Sequence, residues 1–513
     1  MSFYKRHPKE IQLILFFAFL KLFIHFISNS HFGFHRDELL YMAMADHLDW
    51  GYKEVPPFIA GISWFNYAFL GDSVFAMRIL PSIAGALIVL LTGFLVISMN
   101  GRKFPIIVAC SAMVISPVFL GSGYLLQPVV FDQLFWVLCA FLLVKHIQTR
   151  KTTYIYLLGI AMGLGMLTKY TMAFFILALI AGLIISPLKR ILLNKAWILA
   201  AGISFLIFLP NLIWQITNGL PVVSHMKELK ATQLDNLDPL EFLIQLFIVH
   251  ASATVIWFSG LIYLFFSKSN RRYIFLAYSF IIVVVLLLAL NGKVYYSFGA
   301  FPMLFAAGGI CLQKVLGSIS APLRLISVSL LLAPSLLFAP IVIPILPFES
   351  TLRFFEFTTG IGLEFPVRWE DQQSHKTTQD YADMLGWEEI AKHARTAYQK
   401  IPLKERLNTT LIAGNYGQAG AIQYYKNKYN LPDPVSLSSS FALWSPDKIE
   451  TKYIIMIDDD IGDIASAFGT KIYIGKVENP YAREKDTSIY LLSDPLVDFN
   501  KYYQAERLKK LNN

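Results

Sequence analysis

Between residues 11 and 346 the chain alternates apolar runs of about 20 residues with short polar connections. A run of this length spans the hydrocarbon core of a bilayer as an α-helix. The pattern predicts a polytopic, mainly α-helical membrane protein with about eleven transmembrane helices. These helices are expected at 11–29, 78–98, 104–121, 131–148, 153–168, 170–187, 196–216, 243–266, 273–290, 297–313 and 324–346.

The C-terminal part of the chain, residues 347–513, has a different pattern, with more charge, more turn residues and no spanning run. Short apolar strand patterns alternate there with helical patterns, which is typical of a small α/β domain. We therefore expect a membrane domain at 1–346 and a soluble α/β domain at 347–513. The strands are predicted at 411–413, 452–458 and 471–474, and the helices at 421–428 and 461–468.

Basic residues are distributed unevenly among the connections between the predicted spans. Every second connection carries Lys or Arg, whereas the two long connections of the other set, 30–77 and 217–242, are net acidic. Because cytoplasmic connections hold the excess of Lys and Arg, we expect the N-terminus in the cytoplasm. An odd number of spans then places the C-terminal domain outside, extracytoplasmic or periplasmic, in a multi-pass protein of the cell (inner) membrane.

Composition agrees with this picture and excludes some classes of partner. The chain is 55% hydrophobic and 15% charged, below the roughly 25% charged residues of soluble domains. Its net charge of +9 comes from the basic membrane connections, so we expect no nucleic-acid partner. Cys110, Cys139 and Cys311 all lie inside apolar segments, which predicts small core side chains and no disulfide framework.

The densest polar cluster lies in residues 30–57, directly after the first span. His35-Arg36-Asp37-Glu38 precedes a helical pattern, and Asp37 is expected to cap this helix. A carboxylate at the membrane surface could equally serve as the general base that deprotonates an acceptor hydroxyl or amine. One carboxylate, aimed by a neighbouring cation such as Arg36, is enough for a direct displacement with inversion. The residues alone leave both interpretations of Asp37 open.

Several motifs follow one another in a specific order along the chain. They are Asp37-Glu38, Leu48-Asp49-Trp50-Gly51, Glu54 before Pro56-Pro57, 126–136 with Asp132, 163–170 with Lys169, 292–302 with Lys293, and the tail segments 386–389 and 414–420. This order resembles that of the dolichyl-phosphate-mannose protein mannosyltransferases and their bacterial relatives, including the aminoarabinose transferase acting on lipid A. The tail segments resemble a bacterial branch described as family 39 glycosyltransferases.

The resemblance implies an inverting glycosyltransferase of the GT-C type, with the catalytic first outer loop at 30–77. Such an enzyme moves a sugar from a polyprenyl-phosphate donor to a lipid, glycan or protein acceptor on the outer face of the cytoplasmic membrane. Asp37 would be the catalytic base, Glu38 its supporting neighbour and Asp132 the second acidic group. Lys169 and Lys293 would bind the donor phosphate, because each is a lone basic residue in an outer turn. The alternative is that each lysine snorkels from a helix end.

The same resemblance implies further members of the site. Arg36, Lys53 and Arg78 are candidate ligands of the donor phosphate, and the substrate cavity is expected to contain Glu54, Tyr296 and His35. Several relatives have Glu-Lys-Pro-Pro at the position where this chain has Glu54-Val55-Pro56-Pro57. The lysine of that motif is absent here, and Lys53 is displaced from its position by two residues.

No cofactor and no metal site are expected. The alternative is a divalent cation held by Glu54 together with His31, His35 or His47, as in some relatives. However, the spacing typical of a metal site is absent from this stretch.

Two other functions stay open at this point. A transporter or lipid flippase predicts paired ionisable residues near mid-span and broken helices in two related halves, but only Lys21 and His25 lie there. A receptor-like binding protein would use the tail as its working part. Within the tail, the glycine spacing of Gly414-x-x-Gly417-x-x-Gly420 differs from that of dinucleotide-binding loops and predicts a tight strand-to-helix turn.

Overall fold

The protein is a multi-pass membrane protein with a sheet-containing tail, as seen in a computed structural model that describes residues 7–232 and 238–512. Within these ranges, six helices are long and apolar enough to cross a membrane, or up to eight if each of two bent helix pairs forms one span. Three shorter apolar helices, Lys103–Ile115, Thr153–Thr168 and Met172–Ile185, coincide with further predicted spans. The total of about eleven spans remains a prediction.

Helices of eight or more residues in the described part are numbered in chain order. They are α1 (Pro8–Ser28), α2 (Arg36–Ala43), α3 (Phe58–Phe69), α4 (Ile79–Ser98), α5 (Lys103–Ile115), α6 (Pro128–Thr149), α7 (Thr153–Thr168), α8 (Met172–Ile185), α9 (Ala196–Thr217), α10 (Pro221–Thr232), α11 (Pro239–Ile248), α12 (Thr254–Phe266), α13 (Ile274–Ala289), α14 (Pro302–Val315), α15 (Ala321–Leu332), α16 (Phe348–Gly360), α17 (Trp387–Lys400), α18 (Tyr416–Tyr429) and α19 (Phe499–Asn512).

The connection between α1 and α4, residues 30–77, contains the two helices α2 and α3. Helix α3 is apolar, but its 12 residues are fewer than the roughly 20 that a span requires. Trp64, Phe65 and Phe69 are exposed on its surface, and such side chains suit a helix lying in the membrane interface. This helix is not predicted from the sequence, in which 30–77 is expected to be one loop.

The membrane domain has an aromatic and aliphatic core between its helices. Trp136 of α6 stacks on Phe175 of α8 with ring centroids 4.4 Å apart, and both side chains are buried. Helices α12 and α14 approach closely at glycines, since a Cβ on Gly260 would lie 2.0 Å from the Leu304 carbonyl oxygen. Small residues permit such close backbone contacts between membrane helices. The three cysteines are free, as predicted.

The tail contains a mixed five-stranded sheet in the order β2-β1-β3-β5-β4. Strands β1, β2 and β3 are parallel, whereas β5 runs antiparallel to both β3 and β4. The α/β fold and the three predicted strands are present, and β2 and β5 are two further strands that the sequence pattern does not indicate. The domain boundary at residue 346 stays a prediction. The strands are β1 (Thr409–Ala413), β2 (Pro434–Val435), β3 (Tyr453–Asp458), β4 (Phe468–Lys476) and β5 (Ser488–Pro495).

The tail is packed directly against the connection 30–77. Leu39 of α2 belongs to the same buried cluster as Trp387 of α17, Ile422 of α18 and Ile455 of β3. The hydrophobic core of the sheet therefore continues into that of the membrane domain. This continuity fixes the tail over α2, the helix that carries the candidate base.

Candidate active site

Helix α2 begins with a capping box that His35 and Glu38 form. The His35 ring accepts a hydrogen bond from the Asp37 backbone N–H, and the His35 N–H donates to Glu38 Oε2 at 2.9 Å. The prediction that Asp37 caps this helix is therefore wrong, because His35 occupies the cap position. Asp37 lies in the first turn, where the helix dipole favours a negative charge and where its side chain is not used for capping.

The Asp37 carboxylate accepts one hydrogen bond from the tail and one from the membrane domain. The Tyr416 hydroxyl donates to Oδ1 at 2.8 Å, and Gln127 Nε2 donates to Oδ2 at 3.3 Å. The Asp37 side chain is still 33% exposed. Since each carboxylate oxygen has two lone pairs, the group retains the capacity to accept a further proton.

Glu38 and Arg78 form an ion pair that is fully buried. Arg78 donates from Nε to Glu38 Oε1 at 3.0 Å and from Nη2 to Oε2 at 2.6 Å. Its nitrogens also donate to the carbonyl oxygens of Asn29, His31 and Gly33, so all three take part in protein hydrogen bonds. This pair holds α2 against the end of α1. The phosphate-binding role of Arg78 stays a prediction that these contacts do not favour.

Asp132 lies in the second turn of α6 and is buried. Its Oδ1 accepts a hydrogen bond from Trp136 Nε1 at 2.9 Å, and its Oδ2 accepts one from the Thr171 hydroxyl at 2.7 Å. Thr171 belongs to the turn between α7 and α8, which also contains Lys169. The two predicted residues Asp132 and Lys169 are therefore neighbours.

Lys169 lies beside a pair of aromatic rings. Its Nζ is 4.5 Å from the ring centroid of Tyr295 and 4.6 Å from that of Tyr296, distances at which the rings attract a cation. Burial lowers the pKa of Lys169 to about 8, Asp132 opposes this shift, and Lys293 lowers the pKa further. The two candidate phosphate-binding lysines thus lie close enough for their charges to interact.

The electrostatic environment of Tyr41 includes the candidate base Asp37. The pKa of Tyr41, on α2, is raised well above its usual value by burial, and then by the charges of Asp37, Tyr416 and Glu54 and by Tyr296. Tyr296 in turn contacts the Lys169 ammonium. Tyr41 is therefore within electrostatic range of both the candidate base and the ring that contacts Lys169.

Arg36 and His35 also contact the tail. The Arg36 guanidinium lies 4.7 Å from the ring centroid of Tyr416, and its Nη1 is 4.0 Å from Asp383 Oδ1. His35 Nε2 is 3.8 Å from Asp383 Oδ2. Burial raises the pKa of Asp383, which the nearby His35, Arg483 and Arg36 oppose. The Arg36 guanidinium positions the Tyr416 ring, and the Tyr416 hydroxyl in turn positions the Asp37 carboxylate through its hydrogen bond.

Lys53 and Glu54 contact two different segments. Lys53 Nζ lies 3.7 Å from Glu228 Oε2 of α10. Glu54 Oε2 accepts a hydrogen bond from the Ser440 hydroxyl of the tail, whereas its buried Oε1 has no hydrogen-bond partner among the described residues. The charge of Glu54 contributes to the raised pKa of Tyr41, whereas Lys53 Nζ lies beside α10.

Two of the histidines considered as metal ligands, His31 and His47, contact other groups of the protein. His31 Nδ1 lies 2.7 Å from the Pro344 carbonyl oxygen, and His47 stacks on Trp444. In residues 7–232 and 238–512, no group of three or more His, Cys, Asp or Glu side chains could hold a metal ion. The expectation that the protein needs no cofactor stays a prediction.

Tyr416 is not among the site residues expected from the sequence, although the glycine pattern around it indicates a close helix contact. The predicted strand-to-helix turn is confirmed, with Asn415 capping α18. A Cβ on Gly417 would lie 3.3 Å from Arg36 Cβ, and one on Gly420 would lie 2.8 Å from Leu39 Cβ. The glycines therefore allow α18 to approach α2 closely, which brings Tyr416 to Asp37.

One family model and one known relative each match part of this chain. Residues 54–214 match the family model described as dolichyl-phosphate-mannose-protein mannosyltransferase. This segment includes Asp132 and Lys169 but begins after Asp37. The chain is also 26% identical over 200 residues to the lipid A galacturonosyltransferase RgtD of Rhizobium johnstonii. That match covers 38% of this chain and 41% of the relative, so it spans less than half of either protein.

Comparisons with solved structures show the fold. ArnT from Cupriavidus metallidurans bound to undecaprenyl phosphate has a TM-score of 0.60 at 12% identity, covering 93% of this chain and 97% of that chain. The Archaeoglobus fulgidus oligosaccharyltransferase in complex with Zn and sulfate has a TM-score of 0.50 at 14% identity, covering 90% and 71%. The fold is therefore that of ArnT-like GT-C proteins, and none of these likenesses favours a transporter.

Proposed function

We propose that this protein of ArnT-like GT-C fold is an inverting glycosyltransferase. It takes a sugar from a polyprenyl-phosphate donor and transfers it to a lipid, glycan or protein acceptor on the outer face of the cytoplasmic membrane. Two observations carry the proposal. The Asp37 carboxylate is partly exposed and within electrostatic range of Tyr41, and the Lys169 ammonium lies against the ring of Tyr296, which also acts on Tyr41. The likeness to a protein that binds undecaprenyl phosphate supports the class of donor.

In the proposed reaction, Asp37 removes the proton from the acceptor hydroxyl or amine as this group attacks the anomeric carbon. The bond from that carbon to the phosphate oxygen breaks, and polyprenyl phosphate leaves with the electron pair. Attack opposite the leaving group inverts the anomeric configuration. Lys169 and Lys293 stabilise the negative charge on the departing phosphate, and such stabilisation is usually a large part of catalysis.

The other candidate residues have supporting roles in this proposal. Asp132 favours the charged form of Lys169, since it opposes the lowering of the lysine pKa by burial. Glu38 holds α2 in place through Arg78, and Arg36 stacks on Tyr416. Direct phosphate binding by Arg36, Lys53 or Arg78 is not required.

The orientation of the chain belongs to the same proposal. The N-terminus lies in the cytoplasm, because the N-terminal segment belongs to the set of connections that carry Lys and Arg. With an odd number of spans, the tail lies on the periplasmic side of the cell (inner) membrane. A reporter active only outside the cytoplasm, fused after residue 513, should be active. Activity of a cytoplasmic reporter at that position would contradict this orientation.

Mass spectrometry of envelope lipids and glycans from a strain that lacks the protein tests the function. We expect at least one glycolipid, glycan or glycoprotein to lose the mass of a single sugar, and the wild-type chain to restore it. If all such species keep their sugars while a polyprenyl-linked sugar changes membrane side, the protein is a flippase and the proposal is wrong.

A further inference from the structure

The ring of His35 lies between the start of α2 and the tail. Only 6% of the residue is exposed, and its backbone has the extended conformation of a helix cap. Nδ1 accepts a hydrogen bond from the Asp37 backbone N–H at 3.2 Å. Nε2 faces two carboxylates of the tail, Asp383 and Asp380. The ring therefore contacts both the helix that carries the candidate base and the tail.

The contact at Nδ1 specifies where the ring proton lies. A neutral imidazole has one nitrogen that donates and one that accepts. Because Nδ1 accepts the Asp37 N–H, it carries no proton, and the ring proton lies on Nε2. A ring with its proton on Nδ1 would place two donors against each other and could not cap the helix. Its Nδ1–H would instead face Asp37 Oδ2, which lies 4.0 Å from Nδ1.

The two tautomers of His35 therefore act differently on the candidate base. With the proton on Nε2, the ring bonds to the backbone of Asp37, and the carboxylate keeps its bonds from Tyr416 and Gln127. With the proton on Nδ1, the ring would donate to the carboxylate as well. A further donor stabilises the charged carboxylate and makes it a weaker base. The helix would lose its cap at the same time.

Two carboxylates of the tail favour the tautomer that caps α2. His35 Nε2 is 3.8 Å from Asp383 Oδ2 and 4.0 Å from Asp380 Oδ1. These separations exceed a direct hydrogen bond, so the interaction is the electrostatic attraction of the Nε2–H by the negative charges. A lone pair on Nε2 would be repelled by the same charges. The partner at one ring nitrogen thus sets which group the other nitrogen presents.

Asp383 has the larger influence of the two. Its side chain is 3% exposed, whereas that of Asp380 is 69% exposed, so water screens the charge of Asp380 more strongly. Glu38 is a third carboxylate near His35, but it accepts the His35 backbone N–H and is paired with Arg78. We therefore expect Asp383 to set the tautomer, with a smaller contribution from Asp380.

The carboxylate of Asp383 is held in place by hydrogen bonds on both sides of the contact with α2. Its Oδ2 accepts a hydrogen bond from Arg483 Nη1 of the tail at 3.1 Å. Its carbonyl oxygen accepts from Trp387 Nε1 at 2.9 Å and from the backbone N–H of Arg36, the first residue of α2, at 3.1 Å. The charge on the tail and the cap on α2 therefore have a fixed separation.

We propose that His35 is a positioning residue for the candidate base, and that Asp383 of the tail fixes the tautomer of His35. In this tautomer, Nδ1 caps α2 through the Asp37 N–H and leaves the Asp37 carboxylate available to the acceptor. The inference rests on the proposed function and deepens it, because it gives the tail a role in catalysis that acts through His35 rather than through contact with the reacting atoms.

Nitrogen-15 NMR of the histidine rings, in the full chain in lipid nanodiscs, measures the tautomer directly. The His35 signals are those lost in His35→Asn, and we expect them to show a proton on Nε2 and none on Nδ1. Asp383→Asn keeps the shape of the side chain but removes its charge, and it should raise the fraction of rings protonated on Nδ1 about fivefold. Asp486→Asn, which changes an exposed tail carboxylate paired with Lys476, is the matched control and should leave the signals unchanged.

The effect on transfer is measured as the rate at which each variant restores the missing sugar in the strain that lacks the protein, at equal protein levels. His35→Leu removes the cap and should slow restoration about tenfold, because the base is misplaced. Its affinity for undecaprenyl phosphate should equal that of the wild type. His35→Asn supplies a side-chain oxygen that caps a helix without any tautomer, so it should retain most of the rate.

Asp383→Asn in two backgrounds separates control of the tautomer from a structural role. It should slow restoration about fivefold when His35 is present and hardly at all in the His35→Asn background, because the cap there has no tautomer to control. If Asp383 acted only by holding the tail through Arg483, the loss would be the same in both backgrounds, and that result would overturn the proposal. A proton on Nδ1 in the wild type, or a wild-type rate in His35→Leu, would also overturn it.

These outcomes distinguish the inference from the proposed function. If the strain that lacks the protein loses no sugar, the proposed function is wrong, whereas the NMR signals still decide whether Asp383 sets the tautomer of His35. If the strain loses a sugar but Asp383→Asn acts equally in both backgrounds, the function stands and the inference is wrong.

Discussion

Lys169 should make the binding of the donor phosphate depend on pH. Its ammonium lies beside Tyr295 and Tyr296, and burial lowers its pKa to about 8. Only the protonated ammonium attracts a phosphate, so this contribution is present below pH 8 and is lost as the pH rises through that value. A group with a pKa of about 8 is about nine-tenths protonated at pH 7 and about one-tenth protonated at pH 9.

These fractions set the magnitude of the effect. If phosphate binding requires the charged form of Lys169, the apparent Kd for undecaprenyl phosphate rises about tenfold between pH 7 and pH 9, or about 1.4 kcal/mol. The ligand itself contributes little, because the second pKa of a phosphate monoester is about 6 and its charge hardly changes in this range. Arginine stays charged throughout, so Lys169→Arg should remove the pH dependence.

The assay is equilibrium binding of undecaprenyl phosphate to the full chain in nanodiscs at pH 7, 8 and 9 and constant ionic strength. Lys169→Gln should bind weakly with no pH dependence, and Lys103→Arg, an exposed lysine at the start of α5, is the control. A wild-type affinity that is constant from pH 7 to pH 9 would refute the reasoning, as would unchanged affinity in Lys169→Gln.

Three further substitutions test the structure around the base. Tyr416→Phe removes a hydrogen bond of 2.8 Å to the carboxylate and should lower the kcat of transfer about tenfold with unchanged donor affinity; a normal kcat would exclude this role. Glu38→Gln leaves the buried Arg78 without its counter-charge and should lower the free energy of unfolding by about 3 kcal/mol. Thermal unfolding measures this loss, and an unchanged Tm would contradict the buried pair. Gly420→Ala should weaken the packing of the tail on α2 and make the tail more sensitive to limited proteolysis. Gly202→Ala is the control, because a Cβ there meets nothing within 4 Å. Equal digestion of the two variants would argue against the close helix contact.

The sequence predicts those features that depend on local pattern. Span length and hydropathy identify the membrane segments, and the apolar runs near 411 and 455 predict strands of the tail. The resemblance to known transferases selects Asp132 and Lys169, which are neighbours in the structure. The membrane segments and the strands are predictable because each rests on a short stretch of chain, whereas the roles of Asp132 and Lys169 stay predictions.

Features that join distant residues are not predictable in this way. Tyr416 and Asp37 are 379 positions apart, and Arg78 is 40 positions from Glu38, so no local pattern indicates either contact. The cap of α2 differs from the expectation for another reason. Aspartate is among the favoured capping residues and histidine is not, but the His35 ring takes the position and leaves Asp37 available to other partners.

The most direct test of the account is to measure sugar transfer and donor binding for Asp37→Asn in the same preparation. We predict that this variant binds undecaprenyl phosphate with wild-type affinity, because Asp37 does not contact the phosphate ligands, and that transfer to the acceptor is lost because the base is absent. Wild-type transfer rates in the folded variant would contradict the central claim.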